Sequence, residues 1–216
     1  MVVELGREHS VLNTFICELR DQHVQKDPMR FRRNMERVGE IMAYELSKTL
    51  EYEEREVTSS LGVARMHLMK ELPVLATILR AGLPLHQGML NVFDRADNVF
   101  ISAYRKHLPG QDAFEIEVEY LSGPPLDERV LVISDPMLAT GRSMVTAYRA
   151  VQRLGKPKAL HVVSTIASSE GIEHLKTHLP ANTRIWVAAI DEELTAQAYI
   201  VPGLGDAGDL AYGNKI

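Results

Sequence analysis

The chain has 216 residues, 45% of them apolar and 25% charged, with a formal net charge of −5 at pH 7. That length suits one large domain with a real core, and an acidic balance supplies no general field for nucleic acid or an anionic membrane. The single cysteine, Cys17, excludes an internal disulfide framework and fits a reducing compartment. No apolar run is long enough to span a bilayer, and the N-terminus lacks the basic-then-apolar order of a signal peptide, so a cytoplasmic protein is expected.

Ser10 to Gln22 carries Val11, Leu12, Phe15, Ile16 and Leu19 on one helical face, with Ser10 as N-cap and Cys17 expected as a buried, inert thiol. Asp27-Pro28 reads as the N-cap and first position of a second helix running to about Leu50, because Met35, Val38, Ile41, Met42 and Leu46 continue an apolar stripe. These helices form an N-terminal layer on the core or a subunit contact. Val57 to Met69 reads as a short hairpin turning near Leu61-Gly62.

The remainder alternates. Val74–Leu79 is an apolar strand and Gly82–Phe93 a helix. Val99–Tyr104 and Phe114–Leu121 are strands, and Lys106, His107, Pro109 and Gly110 between them imply an exposed hairpin tip or flexible arm. Val130–Ile133 is a core strand, followed by a tight loop at Ala139–Ser143 and a helix that Gly155 stops. Ala159–Ile166 and Arg184–Ile190 are further strands, with a helix over Ser169–His178 between them. Such alternation predicts an α/β chain, a mostly parallel twisted sheet flanked by helices, in which ligands sit outside the carboxyl ends of the strands. Arg80, Asp135 and Asp191 would then converge on one crevice.

Three stretches carry the chemistry. In Asp135 to Ser143, a carboxylate is followed by Thr140 and Ser143 hydroxyls, a Gly141 that permits close backbone approach, and the charge of Arg142. That composition fits a phosphate site and equally an ordinary strand-to-helix turn; it matches neither a P-loop nor a dinucleotide fingerprint. Arg80 and Arg105 each follow or end a strand and offer planar forks to phosphate oxygens. Tyr199 to Asp209 is rich in glycine yet contains Ile200, Val201 and Leu204, so it reads as an irregular pocket wall whose backbone faces a small flat ligand, the alternative being a C-terminal loop that only packs on the core.

Val-Ile-Ser-Asp-Pro-Met-Leu-Ala-Thr-Gly-Arg-Ser resembles the 5-phosphoribosyl-1-diphosphate (PRPP) loop of type I phosphoribosyltransferases, in the form used by uracil phosphoribosyltransferases. Leu-Arg-Ala-Gly-Leu and Tyr-Ile-Val-Pro-Gly-Leu-Gly-Asp-Ala-Gly-Asp are similar to that family's diphosphate and uracil loops, in the same order. The resemblance implies the type I fold as one domain over 1–216, with N-terminal helices over 1–50, a β-arm over 99–121 and a uracil loop region over 191–211. It implies transfer of the phosphoribosyl group from PRPP to N1 of uracil, giving UMP and diphosphate. By position, PRPP contacts fall on Arg80, Arg105, Asp135, Pro136, Met137, Leu138, Ala139, Thr140, Gly141, Arg142, Ser143 and Asp206. Uracil contacts fall on Tyr199, Ile200, Gly205, Asp206 and Ala207, and catalysis rests on Asp135, Arg80, Arg105 and Asp206.

Magnesium is implied as the cofactor, carried mainly by PRPP oxygens and water rather than by protein ligands. A homodimer or larger homo-oligomer and a GTP effector are further implications of the resemblance. Two positions depart from relatives: Ser134 replaces a first acidic residue, as in the uracil branch, and Arg142 stands where glycine is common, either strengthening phosphate binding or pointing to solvent. The alternatives are a PRPP- or nucleotide-sensing regulator on the same fold, contacting RNA through Arg30, Arg32, Arg33 and Arg37, an enzyme for another base, or an inactive fold. His174 and His178, four apart on a helix, read as surface residues, that arginine run as a solvated face or subunit salt bridges, and Met35, Met42, Met66 and Met69 as core filler.

Overall fold

The computed structural model describes residues 1–107 and 114–214. In chain order the elements are β1 (Val2–Glu4), α1 (Val11–Arg20), α2 (Pro28–Ser47), β2 (Tyr52–Thr58), β3 (Val63–Met69), β4 (Val74–Leu79), α3 (Leu83–Val92), β5 (Asn98–His107) and β6 (Phe114–Ser122). They continue with β7 (Val130–Ser134), β8 (Met137–Leu138), α4 (Arg142–Val151), β9 (Ala159–Ser168), α5 (Ser169–His178), β10 (Arg184–Asp191), β11 (Glu193–Leu194), β12 (Ile200–Val201) and α6 (Ala207–Tyr212).

One sheet organises the molecule, in the order β1-β10-β9-β7-β4-β5-β6, with β8 paired to β9. Every pairing in it is parallel except β5 with β6. β4, β7 and β9 are buried on both faces, which makes β4 and β7 almost continuously apolar, while β9 also buries His161, Ser164, Thr165 and Ser168. Side-chain alternation splits them between two cores. Leu75, Val132, Val163 and Trp186 pack toward α1, α2 and α3 with Leu12, Leu19, Phe31, Met35, Met42 and Met89. Ala76, Leu131, Ile133 and Val162 pack on the opposite face with Met144, Val151, Ile172 and Leu175 of α4 and α5.

The caps explain where helices begin. The Ser10 hydroxyl accepts from Leu12 N, and the Asp27 carboxylate accepts from Met29 N and Arg30 N ahead of Pro28. Several expectations change. Cys17 is exposed, because the buried stripe of α1 is Leu12, Ile16 and Leu19 and position 17 lies about a quarter turn off it. Val11, at the first helical position, is likewise exposed. Met35 and Met42 are core residues, whereas Met66 is 48% exposed on a hairpin that has no layer over it among the described residues.

That hairpin, β2 with β3, is longer than expected and turns at 59–62. Arg142 and Ser143 belong to the first turn of α4 rather than to the preceding loop. Tyr199 to Asp209 is less irregular than its glycines imply: β12 pairs with β11, and α6 starts once Asp206 caps it by accepting from Asp209 N. The tip expected around Pro109 and Gly110 lies outside the described residues. Arg30 pairs with Glu18, Arg33 with Glu36, Arg32 donates to the Ala211 carbonyl, and Arg37 donates to Asn34, so the arginine run is tied within its own chain.

Candidate active site

β7 is buried at all five residues and ends by presenting Asp135 at the carboxyl edge of the sheet. The Ser134 hydroxyl is turned inward, donating to the Ala76 carbonyl at 3.1 Å. Asp135 N donates to Val163 O at 3.0 Å and Ile166 N to Pro136 O at 3.0 Å, and β8 then pairs with β9. The loop is thus pinned to the sheet rather than hanging from it. Beyond it, Ser168 Oγ donates to the Ala139 carbonyl at 2.5 Å while accepting from Gly171 N, the cap of α5.

Gly141 caps α4 with φ +73°, a left-handed conformation that costs glycine least. The first N–H groups of α4 have no carbonyl one turn earlier within the helix, so this end favours an anion. Burial pushes the Asp135 carboxyl up to about 7, against the smaller opposing effect of the Met137 N–H.

The facing wall comes from the segment after β10. Pairing of β11 with β12, with Thr195 N donating to Tyr199 O at 2.8 Å, sets its stem. The two walls enclose a 220 Å³ cavity. Asp135, Met137, Leu138, Ala139, Thr140, Gly141 and Ser143 line one side. Tyr199, Ile200, Gly205, Asp206 and Ala207 line the other. A carboxylate, two hydroxyls and a helix N-terminus thus face a glycine-rich backbone wall across one small crevice. Phosphate and sugar hydroxyls fit the first side and a flat heterocycle fits the second.

Not every expected residue is there. Pro136 is buried beneath the loop, and Arg142 is exposed outside the lining. Arg80 is exposed and tethered to the C-terminal segment, Nη2 donating to Gly213 O at 3.2 Å and lying 3.7 Å from Asp209 Oδ1. Arg105 falls on β5, and its side chain lies outside the described residues. Asp191 does not converge with Arg80 and Asp135; it turns away from the crevice and pairs with Arg20.

Sequence reasoning missed Ala81, Met144, Ala198 and Gly208, which also line the cavity. Ala81 and Gly208 stood inside motifs already singled out. Ala198, with φ +63°, carried no signal that its backbone enters the left-handed region. Among the described residues, no group of three or more His, Cys, Asp or Glu side chains is disposed to hold a metal ion. No described helix is long and apolar enough to cross a membrane.

The family described as "Uracil phosphoribosyltransferase" matches residues 6–214. A uracil phosphoribosyltransferase of Porphyromonas gingivalis is 53% identical over 215 residues, covering 100% of this chain and 99% of that protein. Another from Thermococcus gammatolerans is 39% identical, covering 92% of this chain and 87% of that one. A solved Aquifex aeolicus protein superposes with a TM-score of 0.88 at 31% identity over the whole of both chains. An orotate phosphoribosyltransferase from Mycobacterium tuberculosis, solved with PRPP, gives a TM-score of 0.52 at 14% identity, covering 87% of this chain and 95% of that one, a likeness of fold.

Proposed function

The chain belongs to the uracil phosphoribosyltransferase family, and we propose that the crevice between Asp135–Ser143 and Tyr199–Ala207 is where PRPP and uracil become UMP and diphosphate. The observation that carries this reading is the meeting of the two loops around one cavity, an anion-favouring helix end opposite a backbone-lined wall. In this reading the 5-phosphate rests on Thr140, Gly141, Ser143 and the first turn of α4, Asp135 accepts from the ribose hydroxyls, and Asp206 stands beside the ribose. Arg80 and Arg105 take the diphosphate, and Arg80 leaves Gly213 to do so.

The reaction needs no protein nucleophile. The bond from the ribose carbon to diphosphate breaks, positive charge develops on the sugar, and uracil N1 bonds to the same carbon. Positioning, together with neutralisation of the departing diphosphate by Arg80 and Arg105, supplies the rate. Asp135 and Asp206 are too few to hold magnesium alone, and they suit a cation bound mainly through PRPP oxygens and water; such a cation supplies further charge neutralisation at the diphosphate. Backbone N–H and C=O groups at Ile200, Gly205, Asp206 and Ala207, with Tyr199 beside them, match the donor and acceptor edge of uracil. Cytosine inverts part of that edge and would leave buried groups unpaired.

Purified protein incubated with PRPP, magnesium and each of uracil, cytosine, hypoxanthine and orotate should yield product from uracil alone. Failure to form UMP at any substrate concentration would sink the reading. We further take residues 1–216 as one phosphoribosyltransferase domain working in the cytoplasm as a homodimer or larger homo-oligomer. The exposed Val57, Met66 and Leu68, which share one side of the β2–β3 hairpin, support self-association. A GTP effector belongs to the same reading through the family resemblance, and UMP formation with and without GTP tests it.

A further inference from the structure

Asp191 lies outside the crevice lining, yet its carboxylate gathers three hydrogen bonds. Arg20, the last residue of α1, donates Nη1 to Oδ2 at 2.7 Å and Nη2 to Oδ1 at 2.8 Å. The Gly203 N–H reaches Oδ2 at 2.9 Å, and Arg20 Nη1 also donates to the Gly203 carbonyl at 2.9 Å. One ion pair therefore holds both backbone polar groups of a single residue in the base-facing segment. The pair is well shielded, with the Asp191 side chain 7% and the Arg20 side chain 24% exposed. Burial pushes the Asp191 carboxyl up, but Arg20 and the Gly203 N–H outweigh it and leave it below its ordinary value. It stays ionised at neutral pH.

Gly203 has φ +54°, and a Cβ there would stand 2.1 Å from the Ile200 carbonyl oxygen. The position thus excludes side chains, and its backbone groups are the handle by which the turn can be gripped. It stands midway between the β11–β12 pairing and the Asp206 cap of α6. Ile200 lies on one side of it and Gly205 to Ala207 on the other. The Arg20 end of the grip is itself fixed, because Gln25 Nε2 donates to the Leu19 and Arg20 carbonyls at 3.2 and 2.9 Å.

We propose that Arg20 and Asp191 are positioning residues for base recognition: they clamp the turn at Gly203 so that the backbone flanking it keeps the spacing a uracil edge requires. This rests on the reading of the crevice as a uracil site. The PRPP loop is anchored separately, through β9 and Ser168, and Asp206, the one PRPP contact in the clamped segment, is also held by its own cap on α6, so the clamp acts mainly on the base.

The test uses Arg20→Lys, which keeps the charge but loses the planar fork, and the double variant Arg20→Met/Asp191→Leu, which leaves no unpaired buried charge. Each is assayed with uracil and PRPP varied in turn, and hydrogen exchange is followed over residues 200–206. The expected result is a rise of about tenfold or more in KM for uracil, of the size small misplacements produce. KM for PRPP should change less than about twofold, cytosine should be rejected less well, and exchange in the segment should accelerate.

Unchanged uracil kinetics overturn the proposal. So does a parallel loss in both KM values and kcat, or a Lys variant that fails to fold, because each marks a general structural brace. If the wild-type protein forms no UMP, the uracil reading fails, and the exchange measurement still reports on the clamp.

Discussion

Asp135 closes a strand with five buried residues, and burial moves its carboxyl up to about 7. A carboxyl raised from 3.8 in the unfolded chain binds its proton more tightly when folded. Its contribution to stability is therefore complete below about pH 4 and is lost as pH rises through 7, at about 1.4 kcal/mol per unit of displacement. Asp135→Asn should raise the Tm of the ligand-free protein at pH 8, leave it nearly unchanged at pH 4, and cut turnover severely. Equal Tm changes at the two pH values would refute the assigned burial effect. An acceptor for ribose hydroxyls works best ionised, so kcat/KM for PRPP should fall as pH drops below about 7 in the wild type, a slope readable from a simple pH series. Ser134 cannot substitute as a second acceptor in the crevice, because its side chain is fully buried outside the lining and turned inward to the Ala76 carbonyl. Arg142 is exposed beside the loop, and Arg142→Ala should change KM for PRPP by less than about twofold, within the range of surface substitutions. A loss of tenfold would instead put its guanidinium on the phosphate.

At the scale of elements, the loop from Asp135 to Gly141 keeps its shape because α5 and β9 grip it from behind. Ser168 does two things at once, donating to the Ala139 carbonyl and capping α5 through Gly171 N. Ser168→Ala should cost about 1 kcal/mol of stability as a lost cap and raise KM for PRPP several-fold while KM for uracil stays put. Thermal melts with paired kinetics read both effects, and a stability loss without any kinetic change would deny the buttress. This coupling was not legible in the sequence, since nothing in Ile166-Ala167-Ser168 shows that the hydroxyl reaches back 29 positions. What was legible was whatever burial writes as a pattern. β4 and α5 keep the bounds Val74–Leu79 and Ser169–His178 expected of them, β4 because parallel strands buried on both faces leave continuous apolar stretches. β1 escaped because three residues are too few for any period, and its half-buried Val2 and Val3 read equally well as a tail. Asp191 was placed in the crevice because a sequence shows which residue ends a strand but not which way its side chain turns. Cys17 was misjudged for a related reason, lying one position off a stripe only three residues wide.

The whole molecule leaves one feature unexplained by a single chain. In the register of β2 with β3, Glu53 faces Leu68, Arg55 faces Met66 and Val57 faces Ala64. Val57, Ala64, Met66 and Leu68 therefore share one side of the hairpin with the ion-paired Glu53 and Arg55, while Glu54, Glu56, Arg65 and His67 share the other with Tyr52, Thr58, Val63 and Met69. Glu54 and Glu56 lie within ion-pair reach of Arg65 on that polar side. Among the described residues nothing covers the apolar cluster: Val57 is 43% exposed, Met66 48% and Leu68 39%, with Leu61 at the turn 98% exposed. A two-stranded hairpin alone is marginal in water, and contiguous exposed apolar surface marks an interaction face. A hairpin extended from the core with Val57, Met66 and Leu68 bare in one cluster is explained if a second copy of the chain covers it. Wild-type protein should then sediment at a multiple of its 24.2 kDa chain mass. Met66→Glu/Leu68→Glu, placing two charges on the apolar side and none in either core, should shift it toward the single-chain mass at micromolar concentration. Because β2 and β3 lie outside the crevice lining, any accompanying loss of UMP formation would mean that the assembled form is the competent one. A wild-type protein that sediments as a single chain across that range would remove the hairpin from consideration as a self-association surface.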